Sequence, residues 1–481
     1  MPNDYLLSLP ILAAAGWSVL LIILEAMLSR AALTRVFAML GFALVGGLSV
    51  IGFPLQGLAF SEMLRIGGFQ HFANIIFCLS GLLVVALSEK YLDDENVHYG
   101  EYYIVAFISV VGMMLLAAAA NMAILFIGLE MMSIALYVLA GLMRRDVRSN
   151  EAAMKYFLLG AFASGLLLYG ISLIYGATGE LALHKIAIAI QTGSASMLFW
   201  IGFGLLITGF LFKISAVPFH QWTPDVYDGS PTPAAAFMST GAKAAAFSAL
   251  IVVVTNFSTL LQNSPTWSLV ISSIALATMV VGNIAALAQE NLKRMLAYSS
   301  VAHAGYMLVG IAAATPDGYS GIMFYTLVYT LMNIGAFGVV ALLESKENLL
   351  LASDYAGLFK HRPMLAGAMA VFMLSLAGVP PLGGFIGKYK VFAAAVDAKL
   401  TWLALAGVLA SAVSAYYYLR VVYFMFMRDP VGEAISAPAT SSLAFALIAV
   451  AVVLLGVFPT EILRITDAAL KFAQLPTQTG F

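Results

Sequence analysis

Apolar residues run along this chain in blocks of bilayer length, divided by short polar punctuation. A membrane-spanning helix needs about 20 mostly apolar residues. We read fourteen such blocks, at 5–28, 34–53, 72–88, 102–119, 121–141, 152–176, 197–219, 232–255, 267–288, 295–313, 319–343, 363–398, 402–427 and 440–459. The stretch 102–141 is divided at Asn121, and 363–398 is long and internally broken. No connection is long enough for a water-soluble domain.

Composition agrees. The 481 residues are 62% hydrophobic and 10% charged, whereas soluble domains carry about 25% charged residues. The net charge of −1 supplies no basic field for nucleic acid. The one cysteine, Cys78, excludes an internal disulfide and reads as a small buried hydrophobe. Tyr5 to Leu28 has no basic residue before it, while Arg30 and Arg35 follow it. This is the pattern of a first transmembrane helix with an outside N-terminus, not of a cleaved signal peptide.

Lysine and arginine positions orient the stack. One set of loops holds Arg30, Arg35, Lys90, Arg144, Arg145, Arg148, Lys293, Arg294, Lys346, Lys360, Arg362 and Arg428. The other holds Arg65, Lys185, Lys399, Arg464 and Lys471. The richer set is expected on the cytoplasmic side, and fourteen spans then return the C-terminus to the outside.

Charges inside the spans carry the functional signal. An ionisable group at mid-bilayer costs at least about 2.5–3.5 kcal/mol, so it is kept for pairing, for a hydrated cavity or for moving ions. Glu130, Lys155, Lys213, Lys243, Lys388, Lys390 and Arg420 fall within spans. Arg420 and Lys390 read as side chains snorkelling to the interface. Lys155 lies one turn into its span, beside the basic loop. Lys213, Lys243, Lys388 and Glu130 are deeper and are either fixed ion pairs or a proton relay. Five of the six basic residues in spans are lysine, whereas arginine dominates outside. Lysine releases its proton when buried and arginine does not. A carboxylate such as Glu130 near a lysine makes the release switchable.

Two spans contain their own breakers. The seventh reads Phe212-Lys213-Ile214-Ser215-Ala216-Val217-Pro218-Phe219-His220, and Pro218 is expected to free the Ile214 carbonyl beside Lys213. The twelfth reads Gly378-Val379-Pro380-Pro381-Leu382-Gly383-Gly384, then Gly387-Lys388. Irregular backbone at membrane depth is tolerated only inside protein or beside water, and matched breaks in two halves point to a transport site. The Val-Pro pairs at 217–218 and 379–380 are 162 residues apart, each in the fourth helix of a five-helix block. An odd number of helices per block implies an inverted repeat.

His220 follows the first break and His303 lies inside the tenth span; each reads as a structural hydrogen-bonding group or as a relay member. The segment 221–233 is expected to end one helix and begin the next, with Ser230 or Thr232 as cap. Asp225 and Asp228 read as loop residues, and Gly160 to Gly165 as helix packing.

The stretch FKISAVPFHQWTPDVYDGSPTP (212–233) resembles the signature of the antiporter-like membrane subunits of respiratory complex I, and its wording is most similar to the subunit N branch. ENLKRMLAYSSVAHAGYMLVG (290–310) and LSLAGVPPLGGFIGKYKVF (374–392) fit the same family, and the likeness covers nearly the whole chain. The resemblance implies that Glu130 is the fifth-helix glutamate, and Lys213, Lys243 and Lys388 the lysines of helices seven, eight and twelve. Lysine at 388 separates the chain from the sister M subunit, and the lack of a lateral helix separates it from L. The family implies two proton half-channels joined by a central polar axis, served by Glu130, Lys213, Lys243, Lys388, Lys155, His220 and His303.

The expected architecture is therefore all-α and polytopic: helices 1–3 in 1–100, inverted five-helix repeats in 101–256 and 267–428, and a last helix and tail in 440–481. The expected role is proton translocation as a subunit of an NADH–quinone oxidoreductase translocase, without redox catalysis in this chain. FMN, iron–sulfur clusters and quinone are expected in partner subunits, and no metal here. Expected partners are the lipid bilayer and the M, K and J type chains, in a bacterial inner membrane with both termini periplasmic. The alternatives are a subunit of a multisubunit cation/proton antiporter and a non-pumping scaffold.

Overall fold

A computed structural model describes residues 3–193, 195–262, 264–347, 350–430 and 439–473. Both chain ends and the side chains of Lys346 and Lys471 lie outside the described residues. The helices in chain order are α1 (Leu9–Leu28), α2 (Ala31–Gly52), α3 (Gly68–Asp94), α4 (Glu101–Ala118), α5 (Met122–Ala140) and α6 (Val147–Thr178). Then come α7 (Met197–Lys213), α8 (Trp222–Gly229), α9 (Thr232–Asn256), α10 (Pro265–Leu287), α11 (Leu292–Ala313) and α12 (Pro316–Glu347). The last are α13 (Pro363–Ala377), α14 (Gly383–Asp397), α15 (Thr401–Met427), α16 (Ala439–Val457) and α17 (Thr460–Ala473). A small antiparallel hairpin, β1 (Gly57–Ala59) and β2 (Leu64–Ile66), joins α2 to α3.

Among the described residues eleven helices are long and apolar enough to cross a membrane, and a twelfth is added if α16 and α17, bent by 76°, form one span. The fourteen expected spans are thus not reached by that measure. The shortfall falls at the two broken positions, where α7 and α13 are apolar but shorter than a bilayer requires. The cause is the break itself, which divides one crossing between two short helices.

The core is centred on α9, α11 and α12, each with 94% of its apolar window buried, whereas α1 has 22%. Helix starts follow their caps: the Asn121 side chain accepts from Ala123 N at 2.8 Å, and Asn291 accepts from Arg294 N at 3.1 Å. Both asparagines also sit in one-residue antiparallel bridges, Asn121 with Ala182 and Asn291 with Leu351. Around the first, Met122 N donates to Leu181 O and Leu183 N to Ala120 O, both at 2.9 Å. Around the second, Leu292 N donates to Leu350 O at 2.7 Å and Ala352 N to Glu290 O at 3.1 Å. The start of α5 is therefore clipped to the segment following α6, and the start of α11 to the segment following α12.

Candidate functional site: a buried lysine axis

The first break begins earlier than expected. Helix α7 ends at Lys213, four residues before the helix-breaking proline would require. Ser215 takes a left-handed conformation (φ 65°), Ser215 N donates to Phe212 O at 3.0 Å, and Ala216 N donates to Leu211 O at 2.9 Å. These two bonds form a Schellman stop, and Pro218 follows it. Pro218 is therefore not what ends the helix: the capping turn ends it, and the proline lies beyond it. Trp222 of α8 closes the turn by donating from Nε1 to Phe212 O at 3.1 Å, and its ring stacks on Tyr156 at 4.4 Å.

Lys213 is 6% exposed. Its Nζ donates to Tyr156 Oη at 2.8 Å and lies 4.8 Å above the Tyr156 ring and 5.5 Å from the Tyr137 ring. The partner is a phenol, not a carboxylate. Glu130 stands nearby on α5, but its Oε1 is buried without a hydrogen-bond partner among the described residues. A charge on Glu130 therefore acts on Lys213 through space.

Lys243 follows a π-helical turn, Met238–Ala242, within α9. Such turns recur at functional sites because they re-aim the residues around them. At 1% exposure, Lys243 donates to Ser300 O at 2.7 Å and Ser300 Oγ at 2.5 Å. His303 lies one turn further along α11. Its Nδ1 is 2.7 Å from Tyr325 Oη and its Nε2 is 3.1 Å from Tyr418 Oη. Tyr418 Oη is bonded in turn to Ser299 Oγ.

The second break repeats the first stop. Gly378 is left-handed (φ 89°), Gly378 N donates to Ser375 O at 3.0 Å, and Val379 N donates to Leu374 O at 3.0 Å. Aligned on this motif, Gly378 corresponds to Ser215, an offset of 163 and not the 162 read from the Val-Pro pairs. Lys388 reaches back from α14 and donates to Leu376 O and Ala377 O, both at 2.9 Å, and to Ser411 Oγ at 2.8 Å. It thus satisfies carbonyls that the end of α13 leaves open. The two break lysines are not at equivalent places: Lys213 ends the first half-helix, whereas Lys388 lies inside the second.

Tyr306 links the parts. Its ring lies 4.8 Å from Lys388 Nζ and 5.5 Å from the His303 ring. Its hydroxyl accepts from Asn283 Nδ2 at 2.9 Å, and Asn283 Oδ1 accepts from Tyr417 Oη at 2.9 Å. No carboxylate oxygen lies within 4 Å of Lys213, Lys243 or Lys388 among the described residues.

Other sequence-derived candidates fall outside this axis. Lys155 is at the surface, paired with Glu151 at 2.8 Å and Asp225 at 2.9 Å. Asp225 and Asp228 lie on α8, not in a loop. Arg294 meets Asp225 at 3.0 Å, and Arg148 meets Asp228 at 2.7 Å. His220 is half-buried in the turn after the break, its Nδ1 without a partner, and no hydrogen bond joins it to the three lysines among the described residues. Arg420 does not simply snorkel: it donates to Gln289 O at the end of α10. Gly160 packs against Tyr137, while a Cβ at Gly165 would meet nothing within 4 Å.

Sequence reasoning missed several members. Tyr156, Tyr306, Tyr418 and Ser300 carry no signal beyond being polar groups on apolar helices. Lys293, expected in a loop, is 2% exposed in the first turn of α11 and pairs with Glu344 at 2.9 Å. Thr232, expected as a possible helix cap, donates its hydroxyl to Glu344 instead. Both pair members lay at span edges, where boundary errors of a few residues hide them. Just beyond the end of α3, partial burial and next the charge of Glu344 raise the Glu95 carboxyl above its ordinary range.

The fold and this axis define an antiporter-like membrane subunit. Residues 119–414 match the family described as "NADH:quinone oxidoreductase/Mrp antiporter, TM". The chain is 55% identical over 474 residues to NADH-quinone oxidoreductase subunit N 1 of Chloroherpeton thalassium, covering 98% of this chain and 100% of the relative. It belongs to the NADH-quinone oxidoreductase subunit N family. It also superposes on a chain of respiratory complex I from Thermus thermophilus with bound aureothin, with a TM-score of 0.84, 34% identity, and coverage of 96% and 100%. A chain of the Mrp complex from Dietzia gives a TM-score of 0.86 at 20% identity, covering 98% of each, and so shares the fold alone.

Proposed function

We propose that this chain is a proton-translocating subunit of the membrane arm of an NADH-quinone oxidoreductase. The carrying observation is that three lysines, 6%, 1% and 4% exposed, are each held by hydroxyls or carbonyl oxygens with no carboxylate in contact among the described residues. A buried charge kept for structure alone is normally paired. A lysine held by dipoles can exist with or without its proton, whereas an arginine cannot.

In this reading Lys213 exchanges its proton toward Lys243, and Glu130 biases the exchange through space. His303 and the hydroxyls of Tyr325 and Tyr418 continue the path past Tyr306 to Lys388. Lys155, with Asp225, and His220 lie on the approach to the first break and serve proton access there. The two five-helix sets, 101–256 and 267–428, are inverted repeats. Five crossings separate Asn121 from Asn291, so their matching clips belong to opposite membrane faces. The basic loops face the cytoplasm and both termini the periplasm of a bacterial inner membrane. M, K and J type chains are the neighbours, and flavin, iron–sulfur clusters and quinone reside in partner subunits, which perform the redox catalysis.

The test is Lys243→Ala in the assembled complex, reconstituted in vesicles. Assembly with lost NADH-driven pumping supports the reading. An assembled variant that pumps like the parent refutes it. A scaffold role predicts failure of assembly, and an antiporter role predicts purification without flavin-containing and iron–sulfur subunits.

A further inference from the structure

Where the first five-helix set meets the second, α7 and α10 are tied at two levels. Near their starts the Phe203 and Trp267 rings meet at 5.6 Å. At the first break Val217 N donates to Thr278 Oγ1 at 3.0 Å. Alongside these ties runs an open groove of about 760 Å³. Trp200, Gly204, Thr208 and Leu211, three or four positions apart, form its α7 wall, and Val270 and Ile274 belong to its α10 wall. Phe219, just past the break, also borders it. The Thr208 hydroxyl is turned onto its own helix, donating to Gly204 O at 2.9 Å, so this wall is apolar in effect.

Length and polarity identify the occupant. Trp200 to Leu211 spans about 16 Å at helical rise. One leaflet of hydrocarbon is half of about 30 Å, so the groove runs the depth of one leaflet. At the end where α10 begins, it shares Trp200 and Ser264 with a second open pocket of about 510 Å³, to which Gln191 and Asn256 contribute. Gln191 belongs to the short helix Leu183–Gly193, and Asn256 ends α9. Tryptophan rings collect at the boundary between membrane and water. The opposite end, at Leu211, Ile274 and Phe219, is apolar. Polar at the boundary and apolar toward the bilayer interior is the gradient of a phospholipid. Among the described residues no lysine or arginine lines either space, so head-group charge is not what the site reads. A lipid tail already has apolar surroundings in the bilayer, and packing against two helix walls is what holds it here.

We propose that this groove is a lipid site. One acyl chain of a phospholipid, from the leaflet at the start of α7, lies between α7 and α10 with its end against Phe219. Its glycerol region sits among Gln191, Asn256 and Ser264. The chain fills the gap between the two five-helix sets beside the first break. The site lies outside the lysine axis and does not depend on which residues carry protons.

The test uses the assembled complex in phosphatidylcholine vesicles, with a trace of the same lipid carrying a photoactivatable group at the end of one acyl chain. Cross-linked residues are mapped by mass spectrometry, and the exposed face of α1 gives the baseline for passing lipid. The expected labelling of Leu211, Phe219 and Ile274 is roughly tenfold above that baseline, the ratio that about 1.4 kcal/mol of retention gives. Labelling at baseline overturns the proposal, whether the groove holds no lipid or a neighbouring subunit covers it. With the photoactivatable group moved beside the ester, the label is expected on Gln191, Asn256 and Ser264, and an unchanged pattern overturns the site. Gly204 is exposed, and a Cβ there would meet nothing within 4 Å. Gly204→Leu therefore fills the groove without a clash and is expected to bring the signal to baseline. Gly165→Leu, equally exposed and open but on α6, should leave it unchanged. Equal signals in the two variants overturn the proposal. Should Gly204→Leu not assemble, the two label positions in the parent complex decide. Loss of signal on adding an isoprenoid quinone, but not on adding unlabelled phosphatidylcholine, assigns the groove to a quinone tail and overturns the phospholipid.

Discussion

The ammonium of Lys213 is bonded to the Tyr156 hydroxyl at 2.8 Å and not to the carboxylate of Glu130. Tyr156 itself is fixed by Trp222, which stacks on it from the far side of the helix break at 4.4 Å. The break, the phenol and the lysine thus form one unit. Tyr156→Phe keeps the ring and its stacking but removes the only oxygen bonded to Lys213 Nζ among the described residues. Losing one such buried partner costs on the order of 1–3 kcal/mol. The expected outcome is an assembled complex whose pumping is slowed about tenfold, since 1.4 kcal/mol is a factor of ten. Unchanged pumping in reconstituted vesicles removes Tyr156 from the path.

Glu130 Oε1 has no hydrogen-bond partner among the described residues, so the effect of Glu130 on Lys213 follows charge more than shape. Coulomb interaction over several ångströms in a medium of low effective dielectric remains substantial. Glu130→Asp should keep most of the pumping rate, and Glu130→Gln should lose most of it. Equal losses in the two variants, measured on complexes of equal assembly, contradict action through space and call for a direct bond.

Gly378 tests the second break. Its left-handed backbone costs a residue with a Cβ about 1–2 kcal/mol. An added methyl would also stand 3.1 Å from Lys388 Cδ and 3.2 Å from its Nζ. Gly378→Ala is therefore expected to impair pumping. The control Gly367→Ala, on the same half-helix with nothing within 4 Å, should not. Equal behaviour of the two variants in a pumping assay refutes the role of the capping turn in placing Lys388.

How much of this was legible in the sequence varies with the physics involved. Span positions follow from apolar block length, and Lys213, Lys243 and Lys388 stood out because charge in an apolar block is rare. What each lysine touches was not legible. Tyr156 and Lys213 are 57 positions apart and meet only through helix packing, and a tyrosine in a membrane helix has ordinary structural uses. The proline of the first break was read as the breaker because its chemistry is local and visible. The Schellman stop at Ser215 was not, because a left-handed serine leaves no mark in composition. Lys293 and Glu344 were lost for another reason: each lies within a residue or two of an assigned span edge, and burial there depends on neighbouring helices.

Lys388 gives the most direct test of the central claim, that the axis moves protons and does not merely hold charge. Its Nζ bonds two backbone carbonyls and Ser411, so a fixed positive charge alone would serve to cap α13. An open groove beside it, lined by Gly378, Phe385, Lys388 and Ser411, leaves space for a larger head group. Arginine keeps the charge and the capping donors but does not release its proton in a protein. The measurement is NADH-driven pumping by assembled Lys388→Arg and Lys388→Gln complexes in vesicles. The account predicts that both assemble and both lose pumping. Pumping at the parental rate by Lys388→Arg, with loss only in Lys388→Gln, would show that Lys388 supplies charge and carries no proton.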